Sequence, residues 1–247
     1  ADALIVVGGD GTVHHAAQLA IDSGVPLYHA ASGNENLFAR EFEMRPDPAS
    51  VLATLERGTR RGVDLARCNG VSFLLMCSVG PDASVIRRLT RARRRPTGHL
   101  AYTLPVIAEA FRPYIPRLSV RVDGEPLVEA RRGLVVVANC RQYAMRVDPC
   151  PNASMSDSRL DVVFLPCSTS LGAVRRLIQC RFRGQARSGA IAVGAGESIE
   201  IRIEGADPVC QLDGEAPRPH SPAAGAGTLT CGVSPGVLPV LVPPGQV

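Results

Sequence analysis

A short apolar strand that runs straight into Gly8-Gly9-Asp10-Gly11-Thr12, and from there into a helix, is the feature that most narrows what this chain can fold into. Residues 3–7 (Ala-Leu-Ile-Val-Val) are continuously apolar, as a strand buried on both faces of a parallel sheet must be. Val13 to Ile21 then reads as a helix, with Ala16, Ala17, Leu19 and Ala20 supplying its propensity. Paired glycines let a backbone approach an anion closely, and a helix start adds free N–H groups and the positive end of its dipole. A plain strand–helix turn would not need two glycines, an acid, a third glycine and a hydroxyl in succession. Thr12 is placed to cap the helix or to bond a phosphate oxygen. The motif is neither a Walker A loop nor a dinucleotide fingerprint.

A second turn of the same kind follows a second strand, Val25–Ala30. Ser32-Gly33-Asn34-Glu35-Asn36-Leu37-Phe38-Ala39-Arg40 enters a helix spanning Asn36 to Phe42, and Asp47 to Arg57 forms a third. This alternation is that of an α/β layer. Ligands of such layers bind at the C-terminal ends of the strands, so Gly8–Thr12 and Gly33–Asn36 should border one pocket. Asn34 and Asn36 offer amides to a phosphate or an adenine, and Glu35 can accept from an amino or hydroxyl group.

From about residue 63 the texture changes to short strands separated by Gly, Pro and Asp turns: Val71–Cys77, Leu118–Val122, Leu127–Ala130, Leu134–Ala138, Leu160–Leu165, Ser198–Ile203 and Val237–Val242. Between them lie a basic helix from Ala83 to about Phe111 and another from Leu171 to Arg181. The pattern predicts two lobes. Residues 1–62 form an incomplete, Rossmann-like α/β nucleotide-binding lobe, and residues 63–247 an antiparallel β-sandwich carrying the substrate, whose last residues are free to return to the first lobe. A strand that begins almost at Ala1 also suggests that the start of a longer chain lies upstream.

Composition removes several chemistries. All 27 basic residues are arginine, so there is no Schiff-base lysine, no Walker A lysine and no protein-kinase lysine. The eight cysteines form no Cys-x-x-Cys pair and none neighbours a histidine at zinc-ligand spacing, which reads as reduced, buried thiols. No apolar run approaches the roughly 18 residues of a membrane span, and the N-terminus is not a signal peptide, so a cytoplasmic protein is expected. The five histidines, including His14-His15, read as structural or surface residues, since no acid or cysteine beside them completes a metal set. Arg87 to Arg95 (Arg-Arg-Leu-Thr-Arg-Ala-Arg-Arg-Arg) makes a broad basic helical face. It suits either plain solvation or an anionic membrane, at about 1 kcal/mol per basic residue near the surface. With aromatic residues at 4%, nucleic acid finds little stacking surface.

Two Asp-Gly-Glu triplets stand out. Asp123-Gly124-Glu125 lies between two strand-like runs and reads as a hairpin turn. Asp213-Gly214-Glu215 is followed by Ala216-Pro217-Arg218-Pro219, a poor partner strand, and is the better candidate for chemistry.

Taken in order, these motifs resemble the diacylglycerol kinase catalytic-domain family, which includes bacterial lipid kinases and sphingosine kinases. The resemblance is carried by Gly8–Thr12, the Gly33–Arg40 run and Gly62-Val63-Asp64-Leu65. Ser78-Val79-Gly80-Pro81-Asp82-Ala83, Pro151-Asn152-Ala153 with Asp157 and Leu160-Asp161-Val162, and Gln211-Leu212-Asp213-Gly214-Glu215 extend it. It implies ATP with Mg2+ between two lobes, transfer of the γ-phosphoryl to a lipid hydroxyl, and nucleotide contacts from Asp10, Gly11 and Thr12. Asp213 would act as the base with Glu215 beside it. Asp10 and Asp64 would serve metal and phosphate, and Asp157 would lie where a structural Mg2+ is held. The implied partners are ATP, a lipid, an anionic membrane at its inner face and, as an open option, a second copy of the chain. Two rivals stay open. One is a kinase of a soluble nucleotide such as NAD, which shares the Gly-Gly-Asp-Gly-Thr turn. The other is a non-catalytic nucleotide-binding relative, suggested by Asn34 and Leu37 where the family usually has threonine and aspartate.

Overall fold

A computed structural model describes residues 2–93, 114–143, 146–183, 191–205 and 207–245. The predicted strand–helix–strand opening is present. Strand β1 (Leu4–Gly8) pairs in parallel with β2 (Leu27–Ala31), from Leu4↔Leu27 to Gly8↔Ala31, and α1 (Asp10–Ser23) connects them. Gly24, at φ 64°, ends α1 in the left-handed cap that glycine adopts without steric cost. Helix α2 (Leu37–Glu41) is brief. Helix α3 (Pro48–Arg57) is started by Asp47, whose side chain accepts from the Ser50 N–H, and by Pro48 in the first turn.

Two long strands join the lobes. Strand β3 (Thr59–Cys68) contains the expected boundary at residue 63, and it pairs antiparallel with β12 (Thr228–Val242) from Val242↔Thr59 to Cys231↔Cys68. The register shifts between Ser234 and Leu238, and beyond that shift Val240 pairs in parallel with Leu27. The remaining strands are β4 (Val71–Phe73), β5 (Met76–Val79), β6 (Arg117–Val122), β7 (Glu125–Ala138), β8 (Leu160–Pro166), β9 (Ala192–Gly196), β10 (Ser198–Glu204) and β11 (Gln211–Leu212). Helix α4 (Pro81–Arg93) follows β5 and α5 (Ser170–Arg183) follows β8.

The sandwich is antiparallel. One layer runs β12-β10-β6-β7 and the other β11-β5-β7-β8-β9, so β7 serves both: its first half pairs with β6 and its second with β5 and β8. The two strands predicted at Leu127–Ala130 and Leu134–Ala138 are therefore one. The irregularity that separates them in sequence is a bulged stretch in which Ala130 sits at φ 46°. Alternation along β7 divides it between two cores. Val135 and Val137 face the sandwich interior with Ile199, Ile201 and Phe164, while Leu134, Val136 and Ala138 join the core that continues under α1 and α2. The predicted strand Val71–Cys77 is broken into β4 and β5 at Leu74–Leu75, and the predicted continuation of the basic helix to Phe111 lies outside the described residues.

Candidate active site

The first glycine turn is built from below. The Gly8 carbonyl accepts from the Ser32 N–H at 2.8 Å and from His29 Nε2 at 2.9 Å, which puts the His29 proton on Nε2. His29 is buried, and that burial holds its pKa below the ordinary imidazole value. Helix α1 starts at Asp10 with Gly9 as an extended N-cap and no side-chain cap. Thr12 is thus not the cap; its own N–H donates to the Gly9 carbonyl at 3.0 Å, and the amides before it have no side-chain cap.

The second turn packs directly on the first. A methyl group added to Gly33 would stand 2.7 Å from the Gly9 Cα, so the two backbones touch at a point where Gly33 has no room for a side chain. Asn36, at φ 51°, accepts from the Gly33 N–H at 2.9 Å and donates to the Gly33 carbonyl at 2.7 Å, so its amide folds the loop. Asp10 reaches across, its two oxygens accepting from the Leu37 and Phe38 N–H groups at 3.0 Å each. Asp10 therefore caps α2 and ties the two turns together. Asn34 and Glu35 are exposed on the rim, with Glu35 3.7 Å from Arg40.

The Asp-Gly-Glu turn closes the third side. Leu212 and Glu215 exchange two backbone hydrogen bonds of 2.9 Å around Asp213 (φ 51°) and Gly214 (φ 78°). This is the same tight turn that Asp123 (φ 49°) and Gly124 (φ 85°) make between β6 and β7, so the flanking sequences do not separate the two triplets as expected. What separates them is the company of each carboxylate. Asp123 accepts from the Ser198 N–H at 2.9 Å. Asp213 accepts from three successive backbone amides, Leu74 (2.7 Å), Leu75 (2.8 Å) and Met76 (3.1 Å), and lies 2.8 Å from His14 Nδ1. That ring of amides is what breaks the predicted strand at Leu74–Leu75.

The turn itself is held by a polar chain behind it. Gln211 accepts from the Gly214 N–H at 2.6 Å and donates to Ser78 at 2.8 Å; Ser78 in turn donates to Asp82, which also accepts from Tyr143 at 3.1 Å. Burial pushes the Asp82 carboxyl above its usual range.

The two ends of the site meet at α1. Glu215 Oε1 lies within van der Waals reach of the space beside Gly11, and Gly11, His14, Gln18 and Ile21, one face of α1, line a cavity of about 320 Å³ with Asp213, Glu215 and Arg218. The structure thus brings Gly8–Thr12, Gly33–Asn36 and Asp213–Glu215 together. His14, expected to be structural or a surface residue, belongs to this cavity. Its signal was readable: it stands one turn after Gly11 on the same helix face. The amide trio at Leu74–Met76 left no signal, because its side chains are plain apolar ones.

The acids expected to hold metal do not gather here. Asp10 is occupied by α2. Asp64 is buried, its oxygens accepting from the Ser158 N–H at 2.6 Å and the Gly236 N–H at 2.8 Å, so it pins the 155–158 loop to the irregular stretch of β12. Asp157 is exposed and accepts from the Arg159 N–H at 3.1 Å. Among the described residues, the cluster of three metal-type donors is Cys68, Cys77 and Cys231, packed inside the apolar sandwich core. Oxygen ligands suited to a resident magnesium ion are therefore not assembled by Asp10, Asp64 and Asp157.

An α/β lobe with two glycine turns stands against a sandwich that presents a carboxylate ringed by backbone amides, the two-lobed plan of a kinase-type fold. Residues 1–68 match the diacylglycerol kinase catalytic domain, and residues 76–242 match the YegS C-terminal NAD kinase beta sandwich-like domain. The chain belongs to the diacylglycerol kinase catalytic-domain family, with a YegS-type sandwich as its second part. It is 31% identical over 189 residues to a diacylglycerol kinase of Mycobacterium tuberculosis, a match covering 74% of this chain and 60% of that one. It is 29% identical over 258 residues to a Pseudomonas aeruginosa protein named "Probable lipid kinase YegS-like", covering 98% and 77%. A match to a Synechocystis protein spans 39% of that relative's length, so the chain covers less than two thirds of several relatives. The fold is that of a crystal structure of a diacylglycerol kinase from Bacillus anthracis, with a TM-score of 0.67 at 19% identity, over 100% of this chain and 78% of that one.

Proposed function

We propose that this protein transfers the γ-phosphoryl group of ATP to the hydroxyl of a lipid, in the cleft between the two glycine turns and the Asp213-Gly214-Glu215 turn. The observation that carries this reading is the start of α1, where Gly9 meets Gly33 of the second turn and Gly11 stands beside Glu215 of the Asp213 turn, with Gly11, Asp213 and Glu215 lining one cavity. Phosphoryl transfer asks a protein for position, charge neutralisation and a destination for the acceptor proton. The amides of Gly9 to Gly11 and the Thr12 hydroxyl supply the first two for the nucleotide's phosphates, with magnesium arriving as the nucleotide's own companion ion. Asp213 supplies the negative charge towards which the acceptor proton moves. Label from γ-labelled ATP appearing in the organic-solvent fraction with a panel of extracted lipids supports this assignment; label found instead on NAD overturns it.

The lipid acceptor sets a need for approach to a membrane, and the Arg87–Arg95 segment answers it. Arg87 is partly committed, 2.6 Å from Asp207, and Arg94 and Arg95 lie outside the described residues. Changing Arg88, Arg91, Arg93 and Arg94 to glutamine should reduce co-sedimentation with anionic vesicles, as should raising salt from 0.1 to about 0.5 M, where screening shortens below roughly 5 Å. Equal co-sedimentation at both salt concentrations, with and without the four changes, would show that this segment does not bring the protein to the bilayer. No helix of the described residues is long and apolar enough to cross a membrane.

A further inference from the structure

A carboxylate offers about four lone-pair sites. Those of Asp213 face four donors: the Leu74, Leu75 and Met76 amides and His14 Nδ1. Its side chain is 4% exposed, whereas the His14 side chain bonded to it is 28% exposed and lines the cavity. A carboxylate so enclosed has no free oxygen with which to meet an incoming hydroxyl, but it is well placed to hold an imidazole in one tautomer. With Nδ1–H donated to Asp213, the neutral ring keeps its lone pair on Nε2.

Resting on the kinase reading above, we infer that His14 is the group that takes the acceptor's proton, at Nε2, and that Asp213 is its positioning partner. In this step the acceptor O–H bond breaks and its proton passes to Nε2. The acceptor oxygen bonds to the γ-phosphorus, the bond from that phosphorus to the β–γ bridging oxygen breaks, and ADP leaves with the electron pair. Asp213 stabilises the imidazolium that forms, as a buried carboxylate does behind a catalytic histidine.

The charged and titratable groups facing His14 are Asp213, Glu215 and Arg218 from the turn, and the His15 ring, edge-on at 5.6 Å, from its own helix. The hydrogen bond to Asp213 raises the His14 pKa above 6.5; burial works against it, the charges of Asp213 and Glu215 add to it, and Arg218 subtracts. Only the neutral ring can accept a proton, so activity should rise with pH through this raised value. Removing the Asp213 charge should move that limb to lower pH.

The experiment compares the unmodified protein with His14→Ala, which leaves Asp213 its three backbone amides and so leaves the turn anchored. Three quantities are read: lipid phosphorylation across pH 5–9, ATP affinity, and recovery of turnover with added imidazole. The expected result is a turnover loss of about 10²–10⁴-fold with little change in ATP affinity. The acid limb of the kcat/KM profile should disappear and imidazole should partly restore turnover. If His14→Ala keeps both the acid limb and most of its turnover, or loses turnover that imidazole does not restore at any pH, the proton does not pass through His14. If the unmodified protein phosphorylates no lipid at all, the kinase reading falls and this inference falls with it. That outcome is distinct from an active enzyme indifferent to His14.

Discussion

Asp213→Asn is expected to lower turnover by about 10²–10⁴-fold, the range that a proton-accepting system contributes. ATP affinity should change little, because the residue serves the acceptor and not the nucleotide. The substitution is less gentle than its shape suggests. Asparagine presents an N–H where Asp213 presents an acceptor, and one of the Leu74, Leu75 or Met76 amides would then face a donor. Leaving such a group unpaired costs about 1–3 kcal/mol, so a thermal melt belongs beside the kinetics. Asp123→Asn is the matched control. It occupies the same left-handed turn, asparagine tolerates that conformation, and its oxygen can still accept from Ser198. Turnover within about twofold of the unmodified enzyme is expected there, as for an ordinary surface change. The reverse ranking of the two variants would move the chemistry away from the Asp213 turn.

Gly33→Ala should weaken ATP binding by roughly 5- to 150-fold, the affinity equivalent of about 1–3 kcal/mol of overpacking. The added carbon would stand 2.7 Å from the Gly9 Cα and 2.8 Å from Asn36 Oδ1. The first contact is backbone against backbone, which no rotamer change relieves. Asp10→Ala should act on the same pocket from the other side, releasing the Leu37 and Phe38 amides and with them the start of α2. Calorimetric titration with ATP and magnesium reads both. Unchanged affinity in Gly33→Ala would mean that nucleotide binds elsewhere, since no other substitution so directly separates the two turns.

The glycine-turn end of this site, proposed for the nucleotide, was legible because its glycines are packed into short runs between a strand and a helix. Glycines at 8, 9, 11 and 33 mark close backbone approach, and the strand–helix periodicity on either side places them at one sheet edge. The acceptor end was legible only as a motif. Asp213-Gly214-Glu215 could be picked out, but its partners could not: the three amides that hold it come from an apolar run 137 to 139 residues away in sequence, and backbone N–H groups carry no residue signature. His14 was passed over because its acid lies 199 residues downstream. Asp10 and Asp64 were legible as acids, but the backbone amides they meet in the fold were not. A carboxylate that caps a helix and one that binds a cation look alike in sequence, and only the neighbouring amides tell them apart. In the sandwich, β10 was plain from its strict alternation of Ile199, Ile201 and Ile203 with charged residues. Strand β9 (Ala-Val-Gly-Ala-Gly) was missed because small residues give it no pattern; Gly196 packs against Val122 and Asp123 where any side chain would collide.

In the proposed reaction one cleft brings the γ-phosphoryl of ATP to a lipid hydroxyl. The most direct test incubates the protein with ATP, magnesium and mixed micelles of candidate lipids, and counts ADP and phosphorylated lipid in the same samples. The two products are expected in equal amounts, both dependent on the lipid and both suppressed by Asp213→Asn. ATP bound with neither product formed, or ADP formed without phosphorylated lipid at any acceptor concentration, would contradict it.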